Sequence, residues 1–219
     1  SYPRTGNVWK DRSSKALDAT MLANVTFDSA NGGSLNFDSS ATSYASTSYD
    51  SDFHMDTNSS IEIIFLADDN LSGGSDVRQS LWSNKENGSL GVEIGVFDGC
   101  GISGGTSAGR RFLMHRQGNC FSAVSNANAF EVGVPIQFVY TRDGSRNEKM
   151  YTNGVEIALA VENNHTFSAG STNSFIGARG TNLGQKFDGK IYSIKMYTKE
   201  LSAEEVAQNF NAVRGRYGI

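Results

Sequence analysis

The chain has 219 residues, with 19 Lys+Arg against 23 Asp+Glu and a net charge of −4. No basic stripe interrupts that balance, which excludes a reader of phosphate backbones and, with it, nucleic acid as a partner. The longest apolar run is only a few residues, against roughly 20 for a spanning helix, so no membrane insertion is expected.

Period-2 alternation bounded by Gly, Asn, Asp and Ser predicts the strands in chain order. Weak signals lie within 16–26 and at 35–38. Clearer ones follow at 60–66, 78–83, 90–97, 110–115, 121–124, 135–142, 149–152, 155–161, 173–178 and 190–197. The best-specified hairpin joins 149–152 to 155–161, because Asn153-Gly154 is the preferred two-residue turn when both residues need positive φ. One helix is expected, at the end. Ser202 and Glu205 have capping-box spacing, Val206, Phe210 and Val213 share a face, and Gly215 supplies a stop. Ten or so strands at turn spacing, then a single helix, predict an all-β sandwich of two antiparallel sheets. No repeat, linker or low-complexity tail divides the chain, so 1–219 is read as a single domain. It begins at Ser1 and shows no signal-peptide pattern, and is read as processed or cut from something larger.

The two cysteines, Cys100 and Cys120, and the three dispersed histidines lack metal-ligand spacing, so no zinc site is expected. If 90–97 and 110–115 run in opposite directions, the cysteines fall at opposite rims about 20 Å apart. A disulfide needs Cα atoms within roughly 7 Å, so two free thiols are expected.

Several segments in this order resemble the laminin-G-like jelly-roll domain of the concanavalin-like sandwiches. They are Trp9-Lys10-Asp11-Arg12-Ser13, Asn31-Gly32-Gly33-Ser34-Leu35-Asn36-Phe37-Asp38, Tyr151-Thr152-Asn153-Gly154-Val155, Phe187-Asp188-Gly189-Lys190-Ile191, Met196-Tyr197 and Leu201-Ser202-Ala203-Glu204-Glu205-Val206. The closing Asn209-Phe210-Asn211-Ala212 with Arg216-Tyr217-Gly218 is similar to versions carried on tailed-phage structural proteins. The resemblance implies a jelly roll with one short C-terminal helix, whose concave face and rim loops often hold glycans, sometimes with calcium.

Catalysis is not expected. Jelly-roll glycosidases carry Glu-x-Asp-x-x-Glu or a near relative, since retaining chemistry needs carboxylates about 5 Å apart, and no such run occurs. Glu62 stands alone in its strand, and period 2 puts Glu93 and Asp98 on opposite faces. Gln137 lacks the following His of a lyase motif. No cofactor is expected either. Calcium would use acidic turns such as Asp50-Ser51-Asp52 or Asp68-Asp69-Asn70, which read first as solvated turns. The family's acidic positions hold Ala178-Arg179-Gly180 and Tyr192-Ser193 instead. The Gly-rich stretch 98–109 lacks a following helix, so it reads as a rim loop rather than a phosphate cradle.

For a glycan, aromatic rings to meet sugar C–H faces and Asn, Gln or Arg to meet hydroxyls are the useful groups. Trp82, Tyr140, Tyr151, Arg142, Arg179, Asn182 and Gln185 are the candidates, with core packing the competing role for Trp82 and Tyr140. The ligand is expected where the 179–186 loop approaches the sheet carrying Tyr140, Arg142 and Tyr151. The function expected is a carbohydrate-recognising or adhesive module (a lectin-like part of a viral structural protein), on a virion surface or otherwise extracellular. Its partners would be a glycan or cell-surface polysaccharide and other virion proteins. A decoration domain without a sugar site and a polysaccharide-active enzyme are the alternatives.

Overall fold

The computed structural model describes residues 6–22, 24–39, 42–68, 77–86, 90–98, 109–115, 121–180 and 182–219. The strands begin with β1 Val8–Trp9, β2 Ala19–Met21, β3 Thr26–Asp28, β4 Ser34–Phe37 and β5 Ala45–Thr47. They continue with β6 Ser59–Ala67, β7 Val77–Ser83, β8 Glu93–Asp98, β9 Arg110–His115, β10 Phe121–Ser125 and β11 Ile136–Arg142. The last are β12 Glu148–Thr152, β13 Val155–Ile157, β14 Leu159–Glu162, β15 Ser174–Ile176 and β16 Gly189–Tyr197, ahead of the helix α1 Ala203–Tyr217.

One sheet has nine strands in the order β1-β2-β5-β15-β7-β8-β9-β10-β14, and the other has seven in the order β13-β12-β11-β6-β16-β4-β3. Every pairing between these strands is antiparallel. This is the two-sheet antiparallel sandwich that the alternation predicted, in the jelly-roll form that the resemblance implied.

The core lies between the sheets, where Phe112 of β9 stacks on Phe138 of β11 with ring centroids 4.1 Å apart. Odd and even positions of β11 have different neighbours. Phe138 and Tyr140 face the other sheet, while Val139 packs with Tyr151, Leu201 and Val206 under α1. The strand is therefore buried on both faces. At the far end of the helix Tyr217 joins Ile64 and Tyr192. Each such buried apolar side chain contributes about 1.5–3 kcal/mol, which is what seats the helix on the seven-stranded sheet.

Local signals were largely obeyed. Asn153 and Gly154 have φ of 48° and 81°, the left-handed pair that the hairpin turn requires. A Cβ at Gly154 would also crowd the Phe210 ring at 3.2 Å. Ser202 and Glu205 form the full capping box.

Three expectations need correcting. The predicted strand 155–161 is two strands, β13 in one sheet and β14 in the other. The helix runs past Gly215 to Tyr217, because Val213 and Tyr217 still find apolar partners, and Gly218 at φ 72° caps it. The strand predicted from Leu90 begins at Glu93, with Leu90 reduced to a single bridge to Ser168. β1 and β5, at two and three residues, are too short to show a period. Both cysteines and most of the 98–109 stretch lie outside the described residues.

Candidate functional site

The outer face of the nine-stranded sheet holds a charged cluster. Glu93 of β8 pairs in register with Ser83 of β7 on one side and with His115 of β9 on the other. The parity that aims Ile94 and Val96 into the core turns Glu93 outward. Glu93 is nonetheless only 1% exposed and His115 is fully buried. A buried carboxylate is tolerated only with partners, and here it has three. His115 Nδ1 lies 3.2 Å from Oε2, and Arg179 Nε lies 3.5 Å from the same oxygen. With its amide nitrogen turned to the carboxylate, Gln185 donates to Oε1 at 2.7 Å and to Oε2 at 3.2 Å.

Arg179 and Gln185 come from the connection between β15 and β16, which is fastened to the end of β7. The Gly177 amide donates to Leu81 O at 3.1 Å, Gly180 N to Ser83 Oγ at 3.3 Å, and Ser80 N to Gln185 O at 2.7 Å. The segment also closes on itself, with Arg179 N donating to Gly184 O at 2.9 Å. Gly180 is required here, since a Cβ would stand 2.4 Å from Lys85 O. Leu183 and Gln185 adopt φ of 52° and 49° without being glycine. Such residues cost of order 1 kcal/mol each and persist only where the surroundings fix them, as Ser80 and Glu93 fix Gln185. Arg179 keeps 20% of its side chain exposed, and its Nε has no aligned hydrogen-bond acceptor. A guanidinium is thus held at the protein surface with a carboxylate behind it.

The seven predicted residues divide into two groups. Arg179 and Gln185 meet at Glu93, and Asn182 is exposed on the same connection, where its Oδ1 accepts from Gly184 N at 3.0 Å. The other four are not brought to them. A bulge at Leu81 lets both Leu81 and Trp82 face the core, and Trp82 meets Phe53 edge-on at 5.8 Å. Tyr140 is fully buried and donates to Glu148 Oε1 at 2.5 Å, while Ser122 donates to Oε2 at 2.8 Å. Burial and then the Glu148 charge push the Tyr140 hydroxyl well above its ordinary pKa. Arg142 is buried with its guanidinium 3.8 Å from the centre of the Phe167 ring and a hydrogen bond to His165 O. Tyr151 lies beneath α1, on the opposite face of the sheet from Tyr140. The 179–186 loop therefore borders β7 of the nine-stranded sheet, not the strands carrying Tyr140, Arg142 and Tyr151.

Asp69 and Asn70 lie outside the described residues, and several other acidic positions already have partners. Asp50 caps the short 3-10 turn Ser51–His54, and Lys15 lies 3.2 Å from Asp50 and 2.9 Å from Asp52. Glu62 is held by Lys195 at 2.8 Å and Asn209 at 2.9 Å. Among the described residues, no three His, Cys, Asp or Glu side chains are grouped to hold a metal ion. No described helix is long and apolar enough to cross a membrane.

This architecture defines a jelly-roll class of domain. The family model Laminin_G_3, of the Concanavalin A-like lectin/glucanases superfamily, matches residues 75–207, and the chain belongs to that family. No curated protein matches the sequence. Three similar solved structures illustrate the fold. Domain 4 of an extracellular arabinanase from Geobacillus stearothermophilus, in complex with arabinotriose, has TM-score 0.57 at 12% identity over 87% of this chain and 86% of that one. The binding domain of botulinum neurotoxin DC in complex with SialylT has TM-score 0.65 at 14% identity over 93% and 48%. Trypanosoma rangeli sialidase with the inhibitor DANA has TM-score 0.61 at 15% identity over 95% and 31%. The chain thus spans under half of the toxin domain and under a third of the sialidase.

Proposed function

We propose that this chain is a carbohydrate-binding module whose glycan contacts Arg179, Asn182 and Gln185. The observation that carries the reading is the guanidinium of Arg179, partly exposed and backed by buried Glu93 on a self-closed loop. A planar fork of donors matches neighbouring sugar oxygens, with the Asn182 amide as a further donor and the Gln185 carbonyl oxygen as an acceptor beside it. Because the loop is already fastened to β7, little ordering entropy is lost on binding.

The arabinanase domain holds arabinotriose and the toxin domain is in complex with SialylT, which supports a saccharide as the ligand class. The reading is of a binder rather than a catalyst, since Glu93 is 1% exposed and engaged by three groups. The similarity of the closing run to tailed-phage domains supports display on a virion surface, with a cell-surface polysaccharide and neighbouring virion proteins as partners. The described core joins strands from β2 to β16, which supports reading 1–219 as one domain. A second reading, attachment to protein, draws on Val155, 67% exposed on the edge strand β13. A glycan array probed with the wild type and with Arg179→Ala tests the proposal. Signal lost with the arginine supports it, whereas an array without any signal leaves the attachment reading in its place.

A further inference from the structure

A second polar site lies where β6 begins and β16 ends. An open pocket of ≈ 320 Å³ is lined chiefly by Asp52, His54, Met55, Thr57, Asn58 and Ser59. At about 30 Å³ per water molecule this holds on the order of ten waters, the scale of a single sugar ring. From this pocket we infer a ligand site, independent of the Arg179 loop, for a neutral polyhydroxyl ring of monosaccharide size.

The charge pattern selects a neutral ligand. Asp52 already lies 2.9 Å from Lys15, and Asp56 takes Arg146 at 2.9 Å and the Phe167 amide at 2.7 Å. A metal ion would have to displace those cations, and an anion would approach two carboxylates. Hydroxyl groups need do neither, because each donates to a carboxylate lone pair and accepts from Ser, Thr or Asn. His54 adds an acceptor. Its Nε2 lies 2.8 Å from Phe167 O, which can only accept, so in the neutral ring the proton sits on Nε2 and Nδ1 is bare.

The protein also leaves hydrogen-bonding capacity unused here. Ser59 is 4% exposed and its Oγ has no partner. Its cross-strand neighbour Arg142 is fully buried, and Nε and Nη1 of that side chain are likewise without acceptors. An unmatched buried hydroxyl is unfavourable in the free protein, and a ligand oxygen reaching Ser59 removes that penalty. The lining backbone is strained in keeping with this, with φ of 52° at Met55 and 47° at Asn58.

The test is an amide NMR titration of the full chain with D-glucose, D-galactose, D-mannose and L-fucose, repeated on Ser59→Ala. Saturable shifts at 52–59 and 198 are expected with at least one sugar, weakened about fivefold in Ser59→Ala, the loss of one hydrogen bond. A purely structural Ser59 predicts instead unchanged affinity, with equal or higher Tm once the unpartnered hydroxyl is gone. Equal affinity of the two proteins, no saturable shift with any of the four sugars, or saturable shifts only with calcium chloride or glucuronate would overturn the inference. Amides at 182–187 in the same spectra report separately on the Arg179 loop.

Discussion

Glu93 and His115 face each other across adjacent strands with Oε2 and Nδ1 3.2 Å apart, both shut away from solvent. The contacts with Arg179 and Gln185 place this pair directly behind the proposed binding surface.

Breaking the pair should be costly. His115→Phe keeps a ring but removes the nitrogen facing Oε2, leaving the carboxylate with Arg179 and Gln185 alone. Removing one hydrogen-bond partner of a buried charged group typically costs about 1–3 kcal/mol, and this variant should fall in that range. Urea denaturation measures it, and a loss below about 0.5 kcal/mol, the range of an ordinary surface change, would show that Glu93 does not depend on His115.

Tyr140→Phe separates core from site. The variant removes the hydroxyl that donates to Glu148 at 2.5 Å, so stability should fall by about 1–3 kcal/mol while glycan affinity stays unchanged. A weakened glycan complex from this fully buried position would return Tyr140 to the binding surface and contradict its placement in the core.

The helix cap is a local test. Ser202 Oγ accepts from Glu205 N at 3.3 Å and the Glu205 carboxylate accepts from Ser202 N at 3.0 Å. Ser202→Ala should cost about 1 kcal/mol by stranding a first-turn amide. An unchanged denaturation midpoint would show that the cap contributes nothing.

Asp56 gives a pH signature. Burial raises its carboxyl, but Arg146 and the Phe167 amide outweigh burial and hold it below the ordinary 3.8. The unfolded chain therefore takes up the proton first, so the stabilisation is complete above 3.8 and is lost as pH falls through the lower folded value. The advantage of wild type over Asp56→Asn in thermal melts should be full at neutral pH and shrink below 3.8. An advantage constant through that range would mean that the charge plays no part.

The fold was largely legible because its signals are local. The 110–115 strand was predicted with its true boundaries, and Asn153-Gly154 marked its hairpin from turn chemistry alone. Alternation continues unbroken through Val155-Glu156-Ile157-Ala158-Leu159-Ala160-Val161, however, and cannot register a change of sheet. Only the pairings reveal that Ile157 lies against Met150 and Leu159 against Ser125.

The candidate site was half legible for the same reason. Arg179, Asn182 and Gln185 stood out as polar residues on one short loop. Glu93 and His115 were dismissed singly, since the long stretch between their strands does not set a register. Parity held the missing clue: if 90–97 and 110–115 pair, outward positions meet outward positions, and a lone Glu and a lone His can become neighbours. For Trp82, Tyr140, Arg142 and Tyr151, residue type suggested a ligand, but strand parity and the helix seat decided burial.

The most direct test of the central claim is calorimetric titration of a glycan taken from the array into wild type, Arg179→Ala and Asn182→Ala. The account predicts that Arg179→Ala weakens binding about 10- to 100-fold, the range for hydrogen bonds from a charged group. It predicts a smaller loss for Asn182→Ala and unchanged near-ultraviolet circular dichroism for both. A bound glycan whose Kd is the same in all three proteins would contradict it.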